Sequence, residues 1–230
     1  MQKKGVTFTS LNAIDDGDGA KRYAADGKPT IPAVTFDGDV VSFQHPSQLA
    51  SLLQLDIGQA QPATAVAFSL LDVLERWIAV LDGVPFTSLL EPTLSRGRNI
   101  RNLTVNVYRP IRMLPQTYRD GLFNWYTNEA DLQQESFLRD TGAVVAFAQE
   151  IYGEFANFLL EDGEALTGND PQLTGNRGEM RFSELLVTQR FHAAFHYRQI
   201  VDFFNTNGYG PKPALPQMIV EEIALPSNLY

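Results

Sequence analysis

The chain has 230 residues, 44% apolar and 11% aromatic, enough for one large domain or a standard domain with a small companion. Its 27 acidic residues against 18 basic ones give a formal charge of -9, which repels phosphate backbones and anionic lipid heads and argues against nucleic-acid and membrane-surface roles. There is no Cys, hence no disulfide, thiolate metal site or Cys nucleophile; no apolar run reaches the roughly 18 residues of a spanning helix, and Met1 to Gly5 leads into no signal-peptide stretch, so a cytoplasmic protein is expected.

The first part of the chain reads as short β-rich runs between turns. Val6 to Leu11 alternates apolar and polar residues as a half-buried strand does. Ala20 to Ala25 reads as a short helix ended by Gly27-Lys28-Pro29. Ile31 to Phe36 and Val40 to Phe43 read as strands joined by the hairpin signal Asp37-Gly38, and Gln48 to Leu53 as a helix after His45-Pro46-Ser47.

Beyond a linker at Gly58 to Pro62 the period becomes helical. Thr64 to Leu81 is the first long helix. Arg98 to Met113 is the second, with Pro110 expected to kink or stop it. A shorter segment with weak edges lies at Gly121 to Leu138. Ala143 to Leu160 and Glu179 to Phe204 follow, separated by a loop at Gly175 to Gly178. The tail from Gly210, with four of the 13 prolines, reads as extended. Long helices with moderate connections point to a four-helix bundle.

The last long helix carries the chemistry. Phe182, Leu185, Gln189, His192, His196, Gln199 and Phe203 fall on one stripe, polar in its middle. His192 and His196 are four apart, so their imidazoles project from consecutive turns of one side, a spacing suited to two nitrogen ligands on one divalent metal. The same pair reads equally as two core histidines hydrogen-bonded to Gln189 and Gln199. His45 is either a further ligand or a residue leading into a helix. Glu150 and Glu154 read as ligands, a general base or a solvated face. Arg98, Arg101, Arg109 and Arg112 read as clamps for a cofactor's carboxylates or as surface ion-pair partners.

The segment Leu185 to Ile200, with His192-x-x-x-His196 followed by Arg198-Gln199, resembles the last helix of the DinB-like metal-binding bundle superfamily. That superfamily includes thiol-dependent S-transferases and isomerases using glutathione, mycothiol or bacillithiol. Gly97 to Pro110 is similar to the family's second helix, in which a His supplies the first metal ligand; here that position is Asn106. The resemblance implies a divalent metal, zinc or nickel, on His192, His196 and Asn106, weakened because an amide oxygen is a poorer ligand than imidazole.

Thr30-Ile31-Pro32 and the hairpin through Val40-Val41-Ser42-Phe43 resemble the Thr-Val-Pro region of glutaredoxins. That likeness implies a cis Ile31-Pro32 bond and a backbone contact to glutathione at Ile31 and Pro32. The Cys-x-x-Cys of that family is absent, so disulfide exchange is not expected of this piece; it reads otherwise as a cap that stabilises the bundle.

The expected fold class is mainly α. A DinB-like four-helix bundle at 62–208 follows a small N-terminal α+β segment, partly thioredoxin-like, at 1–55, and precedes an extended tail at 209–230. The expected function is a thiol (glutathione)-dependent transferase or isomerase with a weakened metal site and a small-molecule ligand in the bundle pocket. The alternative is a catalytically inactive bundle of the same family that binds a small molecule or pairs as a homodimer, with exposed aromatics such as Phe123 to Tyr126 as the pairing surface.

Overall fold

The computed structural model describes residues 7–9, 11–13, 17–28, 33–42, 52–54, 61–93, 97–123, 133–175, 178–223 and 225. Contacts divide the chain into two units, residues 1–60 and 61–230.

In the first unit, α1 (Gly17–Ala25) precedes the antiparallel hairpin β1 (Ala33–Phe36) and β2 (Asp39–Ser42), in register at Val34↔Val41. Asp37 and Gly38 take φ of 50° and 92°, the left-handed pair that a tight two-residue hairpin demands. Residues 7–9 are irregular, so the alternation there does not form the expected strand. Period-two patterning makes a strand only where a partner supplies a ladder, and no described strand lies beside it. Ile31, Pro32, His45 and most of the expected helix at 48–53 lie outside the described residues.

The second unit is built on four long helices: α2 (Ala63–Leu81), α4 (Ile100–Asp120), α5 (Thr141–Gly168) and α6 (Phe182–Thr206). A short helix, α3 (Phe86–Leu89), lies in the first connection, and α7 (Gln217–Ile223) sits in the tail. The tail is therefore not simply extended; its helix buries Ile219 and Ile223.

Side-chain pairs fix the directions. Trp77 Nε1 donates to Thr104 Oγ1 at 3.1 Å and Tyr108 Oη to the Leu74 carbonyl at 2.6 Å, so α2 and α4 run antiparallel. Arg112 meets Glu150 and Glu154 while Arg119 meets Asp162, so α4 and α5 run parallel. Asn106 meets His192 while Tyr118 meets Phe182, so α4 and α6 run antiparallel. The bundle is thus up-down-down-up, with Trp77, Tyr108, Phe155, Phe182, Tyr197 and Phe204 fully buried between the helices.

Three expected boundaries move. Helix α4 runs through Pro110 and Pro115 to Asp120, because Leu103, Val107, Ile111 and Leu114 bury an unbroken apolar stripe that outweighs the missing backbone donors. Asn99 accepts from the Asn102 N–H at its start, and Gly121 closes it with φ 70°. Helix α5 passes Gly163 and ends at Gly168. Residues 179–181 belong to a strand, not to the last helix.

That strand, β5 (Gly178–Arg181), pairs antiparallel with β4 (Gln172–Gly175), which pairs parallel with β3 (Leu122–Phe123). The expected short helix from Gly121 thus begins as a strand. Gly175 fits because a Cβ there would sit 2.1 Å from the Phe123 carbonyl oxygen. Phe123 is buried, so it does not offer a pairing surface; Asn124 to Tyr126 lie outside the described residues.

Candidate functional site

The start of α6 is firmly anchored. The Glu184 carboxylate accepts from the Arg181 N–H at 2.9 Å, and Asp170 accepts from the Ser183 N–H and hydroxyl at 2.9 and 2.8 Å. These contacts satisfy donors that a helix start leaves open and fix the rotation of α6. Rotation decides which stripe faces α4. Phe182, Leu185, Gln189, His196, Gln199 and Phe203 are all buried, and His192 is half-buried, as the stripe in the sequence requires.

Antiparallel packing brings Asn106 of α4 to His192. The His192 Nε2–H donates to Asn106 Oδ1 at 3.1 Å, and Arg98 Nη1 donates to the same oxygen at 3.3 Å. The His196 ring stands edge-on to His192, centroids 4.8 Å apart and planes at 77°. The His196 Nδ1–H donates to Gln199 Oε1 at 2.6 Å. The three residues expected as metal ligands therefore converge, and so does the expected Gln199 partner. Gln189 does not pair with them: it is 1% exposed, and neither amide atom has a hydrogen-bond partner.

His192 holds its proton affinity well below the ordinary imidazole value. Burial disfavours the charged ring most, and His196 and the Arg98 guanidinium add to this. His192 is therefore a neutral donor at neutral pH.

The donor set does not fit a tightly held divalent metal. It offers two imidazoles and one amide oxygen, with no carboxylate or thiolate to balance a dication. Among the described residues no three His, Asp or Glu side chains gather as a metal-binding group. The guanidinium of Arg98 stands against the oxygen that would be the third ligand. A dication beside it meets several kcal/mol of repulsion even at an effective dielectric of about 20.

The other sequence candidates lie elsewhere or serve packing. Glu150 and Glu154 pair with Arg112 on the α4–α5 surface. Arg101 pairs with buried Glu135, which also accepts from Asn102 Nδ2 at 2.5 Å. Arg98, read in the sequence as a clamp or an ion-pair partner, joins the cluster through Asn106, while Gln189, read there as a partner of the His pair, does not. Their signal was position: Gln189 lies one turn before His192, and Arg98 lies eight residues before Asn106.

No protein-family model matches the chain, and no curated protein matches it. Among solved structures, a His-to-Ala variant of a mycothiol-dependent maleylpyruvate isomerase is similar in fold, with a TM-score of 0.53 at 13% identity over 70% of this chain and 67% of that one. With the helix order and directions above, the likeness is one of architecture: this chain carries a DinB-like helical bundle beside a small sheet.

Proposed function

We propose that the protein is a thiol-dependent transferase or isomerase of the DinB-like type, acting on a small molecule at the Asn106–His192–His196 cluster. The observation that carries this reading is the convergence of those three residues between α4 and α6 of such a bundle. The fold likeness to a mycothiol-dependent isomerase supports it. Because the chain has no Cys, the thiol comes with the cofactor, glutathione or a related small thiol. The glutaredoxin-like segment is read by itself, with Ile31 and Pro32 proposed from the sequence as its backbone contact to a thiol. His192 stays neutral with its Nε2–H held by Asn106, and no step runs through a metal.

A second reading is a binding module without chemistry, in which the bundle holds its ligand or pairs with a copy of itself. Asn106 and Arg98, standing where a metal would need a donor and no cation, favour it.

The test is turnover of glutathione or mycothiol with electrophiles and with maleylpyruvate, in chelator and with added zinc or nickel. Thiol-dependent turnover that is lost in His192→Ala supports the enzyme. Absence of turnover in every combination overturns it and leaves the binding module. Asn106→His sharpens the choice. If the cluster still has ligand geometry, the variant gains at least tenfold in zinc affinity by calorimetry; an unchanged affinity means that the geometry has drifted.

A further inference from the structure

The tail that follows α6 turns back along it. Tyr209 lies edge-on to Phe204, the Lys212 N–H donates to Asn205 Oδ1 at 2.6 Å, and the Tyr197 hydroxyl donates to the Pro213 carbonyl at 2.7 Å. Helix α7 then brings Glu222 to Arg190. As the tail advances from Tyr209 through Pro213 to Glu222, its partners on α6 step back from Phe204 through Tyr197 to Arg190. The tail therefore runs antiparallel to α6, with Leu215, Ile219, Ile223 and Leu225 buried. Arg190 and His192 stand two positions apart, so the tail does not lie on the face of α6 that carries the His pair. A helix of 7 residues is too short to hold itself in water, so α7 depends on being docked.

What the tail docks on is a charge. Arg190 is 3% exposed. Its Nη1 donates to Glu222 Oε1 and its Nη2 to Gln61 Oε1, both at 2.8 Å. Gln61 Nε2 in turn donates to Glu222. Three segments far apart in the sequence thus close one polar ring: the residue leading into α2, the middle of α6 and the tail. Both partners of Arg190 lie outside the four long helices, and its Nε has no partner among the described residues. A desolvated guanidinium is a cost that its ion pair offsets only in part. When the tail lifts, Arg190 regains water, whereas an apolar floor would lose its cover and regain nothing. The core between the four helices, with Trp77, Tyr108, Phe155 and Phe182, is not built on this ring.

We propose that the tail from Tyr209 to Ile223 is a releasable strap on α6, locked by the Arg190–Glu222–Gln61 ring, and that it opens while the four-helix bundle stays folded. Such local opening draws on less free energy than global unfolding, because it gives up a short helix and a few apolar side chains and not the core. Glu222 is the lock. Without its carboxylate, the docked strap covers an unpaired guanidinium, which costs more than letting the strap go. Release uncovers the α6 face around Arg190 and Tyr197 and frees Gln61, the first residue of the second unit. The proposal stands apart from the functional reading above, since none of these residues belongs to the Asn106–His192–His196 cluster.

The test is amide hydrogen exchange on the full chain, followed by mass spectrometry of peptides from the tail and from α4. In the parent protein, the amides of α7 are expected to exchange faster than those between Leu103 and Leu114 of α4. Glu222→Gln keeps the shape and removes the charge. It is expected to speed exchange in α7 by about tenfold or more and to leave the α4 stretch unchanged. The double variant Arg190→Met, Glu222→Leu replaces the buried pair by apolar side chains. It is expected to slow exchange in α7 severalfold below the parent, because nothing charged remains under the strap. The proposal fails if α7 and α4 exchange at one rate in the parent, or if Glu222→Gln speeds both alike; either result makes the tail part of the cooperative core. It fails equally if Glu222→Gln leaves α7 unchanged, or if the double variant loosens the tail, since the charged ring would then not be the lock.

Discussion

Helices α4 and α6 meet at two places built on opposite terms. Near the small sheet, Tyr118 lies edge-on to Phe182 with centroids 5.0 Å apart, and Phe158 of α5 closes against both at 5.5 and 6.3 Å. About 18 Å along α4, twelve residues earlier, Asn106 meets His192 under Arg98. In the aromatic contact each of the three rings meets the other two edge to face. The polar contact sets the Arg98 guanidinium against an amide oxygen, with no carboxylate at ion-pair distance among the described residues, and one turn before His192 on α6 the buried Gln189 amide has no partner among them. The same two helices thus keep their cohesion at one end and leave the other end chemically unfinished, which is the mark of a site and not of a core.

Breaking the aromatic contact should cost most. Phe182 is fully buried between Tyr118 and Phe158, so Phe182→Ala is expected to lower unfolding stability by about 3–5 kcal/mol. Urea denaturation measures it, and a loss below about 1 kcal/mol would show that the sheet end does not hold the helices together.

The polar contact should instead show itself through pH. His192 has its folded proton affinity held below the ordinary value of 6.5 by burial, then by His196 and Arg98. Between that folded value and 6.5, the unfolded chain binds the extra proton and the folded chain does not. Stability is therefore full above 6.5 and falls as pH drops below it, by at most about 1.4 kcal/mol per pH unit for this group. Urea midpoints across about pH 5.5–7.5 are expected to show this slope and to lose part of it in His192→Gln. An identical slope in the variant would mean that His192 is not held neutral.

How much of this contrast was legible in the sequence follows from its physics. The stripe on α6 and the convergence of Asn106 with the His pair could be read, because helical period and the family likeness both fix faces. The Pro110 stop in α4 was misjudged, since a sequence displays the lost donor but not the apolar stripe's burial across three neighbours. Residues 179–181 read as helix because β5 needs β4 beside it, and pairing is nonlocal. Arg98 and Gln189 were visible as residue types, but an absent partner is a property of three-dimensional surroundings. Ile31, Pro32 and His45 fall outside the described residues, so their roles rest on the sequence alone.

The third face of α4 gives the smallest effect and bounds the comparison from the other side. Arg112 reaches Glu150 at 3.0 Å and Glu154 at 3.1 Å, and its guanidinium lies 5.5 Å from the Phe147 ring centroid. Its charge is paired with carboxylates, as that of Arg98 is not among the described residues, but the pairs are wet: the side chains are 34%, 63% and 43% exposed. Exposed pairs contribute about 0.2–1 kcal/mol, and an exposed cation–π contact about as much. Arg112→Ala is therefore expected to cost about 0.5–1 kcal/mol, with part of the loss disappearing at high salt as the ion pairs are screened. A loss above about 2 kcal/mol, or one indifferent to salt, would mean that the α4–α5 surface is a core contact. In that case the division of α4 into one cohesive and one unfinished contact would need α5 as a second anchor.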